Sequence, residues 1–263
     1  MRRLGQHFLK NSSAIKKIVQ ALDLKEKEIV IEIGPGHGEL TIPLAIQCKT
    51  SGCRIIAIEK DDSLGDALAA MSEKEESLRG LHLEKGDALK ILPSLIDGIG
   101  AENYKIAGNI PYYITGKLLR IIGDLQRKPD LVIFTIQKEV AERICAIPPN
   151  MNRLAASIQV WADPKIIASV PRSDFFPAPE VDSATIVLKK RSFDPLIETD
   201  KYDAALKAIF AQPRKTILNN VATATSKKKE DLIAIFTEMG LRPEIRPQDL
   251  SIKDIALIGR RIF

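Results

Sequence analysis

The stretch Glu28-Ile29-Val30-Ile31-Glu32-Ile33-Gly34-Pro35-Gly36-His37-Gly38 decides how the rest of this chain is read. Its first part is a short, β-branched apolar run of strand length. Glycines follow at alternate positions, and a helix is expected to begin near Glu39 or Leu40. Strand, glycine loop and helix in that order open a parallel α/β sheet. Glycines let backbone approach a ligand closely, and the amides at a helix N-terminus favour an anionic group. A plain tight turn has the same composition, and the GxGxG spacing here is not the GxGxxG of dinucleotide sites. The loop sets the fold without naming the ligand.

Outward from that loop, chemistry-bearing residues recur at strand ends. Arg54 to Ile58 reads as a strand ending in Glu59, a carboxylate suited to ribose hydroxyls about 20 residues past the loop. A helix is expected from Ser63 to Met71, then a strand from Leu81 to Glu84 that leads into Gly86-Asp87-Ala88. Asp87 is placed there to accept from an adenine amine. The run Tyr104 to Ala107 ends in Gly108-Asn109-Ile110-Pro111-Tyr112-Tyr113. The Asn109 amide oxygen and the Ile110 carbonyl can both accept from an exocyclic NH2, while Tyr112 stacks on the base that carries it. Pro111 fixes its own φ and biases Ile110 toward an extended form, so the two acceptors converge. Ligands of open α/β sheets sit beyond the carboxyl ends of the strands. Gly34 and Gly36, Glu59, Asp87 and Asn109 at four successive ends define a nucleoside site. With no Walker motif and no GxGxxG, that nucleoside points to S-adenosylmethionine.

At 263 residues, with 45% hydrophobic and 28% charged side chains, the chain is long enough to bury a full core and ordinary for a globular protein. No apolar run approaches the roughly 18–20 residues that span a bilayer, and the N-terminus lacks the blocks of a signal peptide. Cys48, Cys53 and Cys145 are odd in number and lack CxxC spacing, so reduced thiols, no metal site and a cytoplasmic location are expected. A net charge of +5 favours an anionic partner only mildly. Placement says more: basic residues gather at Arg2-Arg3, Lys16-Lys17, Lys189-Lys190-Arg191, Arg214-Lys215 and Lys227-Lys228-Lys229. Beside a base-binding motif, these clusters point to nucleic acid.

Gly5-Gln6-His7-Phe8-Leu9 precedes an amphipathic segment capped by Asn11 or Ser12, with Ile15, Ile18, Val19 and Leu22 on one face. Gln6 and His7 reach a cofactor only if this arm folds over the sheet. Leu131 to Ile136 is a further strand, Lys138 to Ile144 a helix, and Met151 to Trp161 another helix whose Leu154, Ile158 and Trp161 stripe belongs in a core. Ile166 to Val170 and Thr185 to Leu188 complete a Rossmann-like sheet. Phe176 is expected in the core under a Pro-rich loop. The first domain is expected to span residues 1–190. A small all-helical domain, residues 191–263, is expected next, its chain leading through Asp194-Pro195 into helices near Tyr202–Phe210, Pro213–Val221, Lys229–Met239 and Ser251–Arg260.

With these residues in view, the chain resembles the ribosomal RNA adenine dimethyltransferases, which doubly methylate the exocyclic amine of adenines. The matching motifs are Gly5–Leu9, Glu32–Gly36, Glu59, Gly86–Ala88, Asn109–Tyr112, Gln137-Lys138-Glu139-Val140 and Phe175-Phe176-Pro177-Ala178-Pro179-Glu180-Val181-Asp182-Ser183-Ala184. Gln212-Pro213-Arg214-Lys215-Thr216 matches in the second domain, so the likeness runs almost end to end. His7 and Tyr113 stand where many relatives carry Asn. The resemblance implies cofactor contacts from His7, Leu9, Gly34, Glu59, Asp87 and Asn109, Phe175 on the second face of the target base, and RNA-backbone contact from Arg214 and Lys215. It further implies a monomer that uses S-adenosylmethionine to dimethylate two adjacent adenosines of small-subunit (16S) ribosomal RNA during subunit biogenesis. Three alternatives stand beside it: a large-subunit RNA methyltransferase conferring antibiotic resistance, a non-catalytic assembly factor on the same fold, and a methyltransferase acting on protein amides or DNA adenine.

Overall fold

The computed structural model describes residues 6–100, 103–192 and 197–263. Arg2-Arg3, Gly5 and Asp194-Pro195 lie outside the described residues.

The apolar runs become strands β2 (Ile29–Ile33), β3 (Arg54–Glu59), β4 (Leu81–Lys85), β5 (Tyr104–Asn109) and β6 (Leu131–Gln137). With β7 (Ala162–Val170) and β9 (Ser183–Lys190) they form one seven-stranded sheet in the order β4-β3-β2-β5-β6-β9-β7. The pairs β4/β3, β3/β2, β2/β5 and β5/β6 are parallel, and β9 runs antiparallel to β6. Every residue of β2 is buried, the pattern of a parallel strand covered on both faces. On one face Val30, Ala107 and Ile133 meet α1 (Ser12–Leu22) and α2 (Thr41–Ser51) through Ile15, Ile18, Leu22 and Leu44. Asn11 caps α1, its Oδ1 accepting from the Ala14 N–H at 3.0 Å. The buried Lys105 ammonium closes the other end of α1, donating to the Leu22 and Asp23 carbonyls and pairing with Glu28 at 2.7 Å.

α3 (Asp62–Lys74), α4 (Ala88–Gly98) and α5 (Thr115–Asp124) follow β3, β4 and β5 in the alternation of a parallel sheet. A separate two-stranded piece pairs β1 (Phe8–Leu9) antiparallel with β8 (Phe175–Phe176), opposing Phe8 to Phe176 and Leu9 to Phe175.

Contacts divide the chain into residues 1–141 with 163–190, and residues 142–162 with 191–263. The segment 142–162, expected with the sheet, belongs to the helical unit. Its α7 (Arg153–Gln159), which follows α6 (Lys138–Ile144), buries Ala155 and Ala156 among Tyr202, Ile209, Phe236 and Ile258. The Tyr202 hydroxyl donates to the Ala156 carbonyl at 2.9 Å, and the Gln159 amide donates to the Ile144 and Ala146 carbonyls. The remainder of this unit is α8 (Thr199–Ile209), α9 (Ile217–Thr225), α10 (Lys229–Glu238) and α11 (Ile252–Ile262). Residues 213–215, expected in a helix, form the exposed turn before α9, because Thr216 caps that helix by accepting from the Asn219 N–H.

The thiols also differ from expectation. Cys48 in the last turn of α2 and Cys53 just before β3 form a disulfide. Gly52 in the left-handed region (φ 77°) turns the chain so that the two Cα atoms stand 4.6 Å apart, within bridging range. No described helix is long and apolar enough to cross a membrane.

Candidate active site

The carboxyl ends of β2, β3 and β5 converge on a cleft lined by Gln6, His7, Phe8, Gly34, Gly36, Glu59, Asn109, Ile110, Pro111, Tyr112 and Phe175. Gly34 and Gly36 adopt φ of +70° and +61°, and a Cβ on Gly36 would stand 2.9 Å from the Phe8 ring. Any other residue at either position would strain the backbone, and at Gly36 it would also crowd the Phe8 ring. Glu59, 4% exposed, is held at both oxygens: Oε2 accepts from the Gly36 N–H at 3.1 Å and Oε1 from the Asp61 N–H at 2.8 Å. A carboxylate oxygen has two lone pairs, so each retains acceptor capacity.

Gly108 lets β5 come close to β2, since a Cβ there would lie 2.5 Å from the Ile33 carbonyl oxygen. Directly after it, the Asn109 Nδ2 donates to the His7 carbonyl at 2.6 Å, leaving Oδ1 as the acceptor. The N-terminal arm does fold over the sheet. His7 stacks against Tyr112 with ring centroids 5.9 Å apart, and its Nδ1 lies 2.8 Å from the Pro177 carbonyl oxygen. Tyr112 is fixed at its far end by a 2.7 Å hydrogen bond between its hydroxyl and the Ser183 hydroxyl. Burial raises the Tyr112 pKa against the opposing pull of that bond, so the phenol stays neutral.

Leu9 and Asp87 do not line the cleft. The Leu9 side chain is buried in the core beneath β1. Asp87 caps α4, its Oδ1 accepting from the Leu89 N–H at 3.0 Å, and its Oδ2 pairs with the Lys60 ammonium at 3.0 Å. Partial burial pushes this carboxyl up, but the Lys60 and Leu89 hydrogen bonds outweigh that and hold it below its ordinary value. Phe175 and Phe176 divide in an unexpected sense. Phe175 is 4% exposed and still lines the cleft, whereas Phe176, expected in the core, is 63% exposed. Successive residues of a strand face opposite ways, so β8 can bury only one of the two rings. Arg214 and Lys215 are exposed on the helical unit, and Tyr113 is exposed at 60%.

Sequence reasoning gave no role to Phe8, Lys60 or Ser183. Phe8 and Ser183 carried a signal, as parts of the Gly5–Leu9 and Phe175–Ala184 motifs, and Lys60 carried none. Phe8 and Lys60 act through partners that strand pairing and the β4–α4 turn bring to them, and neither partner is readable from spacing.

A mostly parallel sheet whose β9 runs antiparallel to β6, with a glycine cradle, a carboxylate beyond the next strand and Asn-Ile-Pro-Tyr at the end of β5, is a Rossmann-like S-adenosylmethionine-dependent methyltransferase. The cradle and the acceptor set suit a nucleoside with a diol and an amine. The model of the family described as "Ribosomal RNA adenine dimethylase" matches residues 1–259, and the chain belongs to that family. It is 35% identical over 254 residues to the Ribosomal RNA small subunit methyltransferase A of Dehalococcoides mccartyi, covering 95% of this chain and 84% of the relative. Among solved structures, a dimethyladenosine transferase from Plasmodium falciparum superposes with a TM-score of 0.80 at 25% identity, covering 97% of both chains. The 23S rRNA methyltransferase ErmE shares the fold, with a TM-score of 0.75 at 21% identity over 97% of this chain and 99% of its own.

Proposed function

We propose that this protein dimethylates the exocyclic N6 amine of two adjacent adenosines in small-subunit (16S) ribosomal RNA, acting as a monomer in the cytoplasm during subunit biogenesis. The observation that carries the reading is Asn109: its amide nitrogen is tied to the His7 carbonyl, and its oxygen is left to accept beside Tyr112 and the glycine cradle. The small-subunit branch is favoured by the names of the relatives at 35%, 32% and 34% identity from Dehalococcoides mccartyi, Myxococcus xanthus and Francisella tularensis subsp. novicida.

S-adenosylmethionine supplies, when bound, an electrophilic sulfonium methyl. Gly34, Gly36, Glu59 and the His7 arm would hold it, with Glu59 accepting from the ribose hydroxyls and the cradle leaving room for close backbone approach. An adenine amine is a poor nucleophile because its lone pair is delocalised into the ring. Asn109 Oδ1 and the Ile110 carbonyl, accepting its N–H bonds, favour a pyramidal nitrogen with the lone pair aimed along the transfer path. That is positioning and preorganised electrostatics, with no covalent intermediate on the protein. Tyr112 and Phe175 sandwich the base, which leaves its own stack to enter. Arg214 and Lys215 on the helical unit contact the RNA backbone.

The test is transfer of labelled methyl from S-adenosylmethionine to immature small subunits, large subunits and a protein extract, with the product nucleosides identified. Dimethyladenosine confined to small-subunit RNA is expected. Label in large-subunit RNA would move the protein to the other branch, and RNA binding without label would leave only an assembly factor.

A further inference from the structure

Beside the cleft lies an exposed aromatic–cation pair that the reaction just described does not use. β1 and β8 pair Phe8 with Phe176 and Leu9 with Phe175; Phe175 turns with Leu9 into the core, where it also borders the cleft, and alternation puts Phe176 on the other face beside Phe8. Phe176 keeps 63% of its surface exposed, the most of any phenylalanine among the described residues. The Lys10 ammonium stands 4.2 Å from its ring centroid, within cation–π range. The backbone beneath is fixed on both sides: the Lys10 N–H donates to the Asp174 carbonyl at 2.7 Å, and His7 bonds the Pro177 carbonyl oxygen. Among the described residues no carboxylate pairs with the Lys10 ammonium, although Asp174 lies nearby and is bonded instead by Asn11 at 2.7 Å.

We propose that Phe176 and Lys10 form a subsite for the nucleotide next to the target adenosine, with its base stacked on the Phe176 ring and its phosphate on the Lys10 ammonium. The inference rests on the RNA adenine reading above and adds the residues that grip the flanking nucleotide. Extruding one base deprives its neighbour of a stacking partner. An exposed aromatic ring replaces that partner for any base, since every base has a π-face. The cation at the ring supplies the phosphate contact that fixes strand position. Phe176 follows Phe175 in β8 and opposes Phe8, which lines the cleft, and Lys10 follows Phe175's partner Leu9, so the flanking nucleotide would cross the β1–β8 pair as the strand leaves the pocket.

The experiment measures steady-state methylation and equilibrium binding of small-subunit RNA for wild type, Phe176→Ala, Phe176→Tyr and Lys10→Ala. Phe176→Ala is expected to raise KM and Kd for RNA roughly 5- to 150-fold, the range of base–aromatic stacking. Its kcat at saturating RNA and its affinity for S-adenosylmethionine should stay at wild-type values, and Phe176→Tyr should restore binding. Lys10→Ala should reduce the slope of log Kd against log salt by about 0.7, one single-strand phosphate contact. An unchanged Kd in Phe176→Ala, or a Tyr variant as weak as the Ala variant, overturns the subsite. Wild-type protein that binds RNA but transfers no methyl overturns the functional reading instead, and the Kd comparison still decides the subsite.

Discussion

Glu32→Gln isolates the carboxyl that the fold buries under the glycine loop. Glu32 is 1% exposed on β2, two residues before Gly34, and its Oε2 has no hydrogen-bond partner. Burial pushes this carboxyl up to about 8 from an ordinary 4.5; nearby Thr41 pulls it back, and the Glu39 and Glu59 carboxylates push it further up. The folded protein therefore keeps a proton that the unfolded chain releases above its ordinary value. Below that value the group has no effect on stability. As pH rises toward 8 the unfolded chain gains and the fold loses, by about 1.4 kcal/mol for each pH unit. The whole interval amounts to about 5 kcal/mol, and pH 5.5 to 7.5 to about 2.5 kcal/mol. For a unit of this size, that smaller figure corresponds to about 5–10 °C in Tm. Melting curves of both proteins at fixed ionic strength, from pH 5.5 to 8.5, give the comparison. Other groups titrate alike in both, so the difference between the two curves reports Glu32 alone. Wild type should lose Tm with rising pH relative to the Gln variant, which has no such proton to release. Parallel curves would refute a neutral, buried Glu32.

Three further outcomes are expected. Asn109→Ala should retain S-adenosylmethionine and RNA binding while methyl transfer falls roughly 10²- to 10³-fold, as for loss of one preorganised group; wild-type turnover would end the positioning mechanism. Gly108→Ala places a Cβ 2.5 Å from the Ile33 carbonyl oxygen and should destabilise the sheet unit by about 1–3 kcal/mol, seen as a lower urea midpoint. The double variant Arg214→Ala with Lys215→Ala should weaken RNA binding and flatten its salt slope by about 1.4–1.8, two phosphate contacts; an unchanged slope would remove that turn from the interface.

Local pattern was enough wherever local pattern decides structure. The apolar runs of β2, β3 and β5 are of strand length, and their ends carry Gly34, Glu59 and Asn109 because a parallel sheet aligns its carboxyl ends. Pairing across distance was not legible. β1 and β8 hold two residues each and meet across more than 160 positions, so no periodicity announces them. Without that pairing there was no reason to bury Phe175 and expose Phe176. α4 contains Pro93, which breaks the pattern that would have revealed it. The Cys48–Cys53 bridge depends on one turn at Gly52 rather than on a spacing rule. The segment 142–162 reads as a continuation of the sheet domain, yet its small residues Ala155 and Ala156 fit the helical core.

The arm also bears on which base the site accepts. An amide can present either a donor or an acceptor, and a site built on a freely turning asparagine would take an amine or a carbonyl. The His7 carbonyl can only accept, so its 2.6 Å bond fixes Nδ2 on its own side and makes Oδ1 the acceptor Asn109 offers. The peptide carbonyl of Ile110 offers an acceptor as well. A base with a carbonyl at the corresponding position would set oxygen against oxygen, leaving buried acceptors unpaired, and such mismatches discriminate far better than a missing methylene does. A carbonyl 102 positions away in the chain thereby turns the Asn109 oxygen toward the amine in the proposed reaction. In the proposed reaction, preference for adenine over a keto purine comes from the N-terminal arm as much as from the Asn-Ile-Pro-Tyr motif itself.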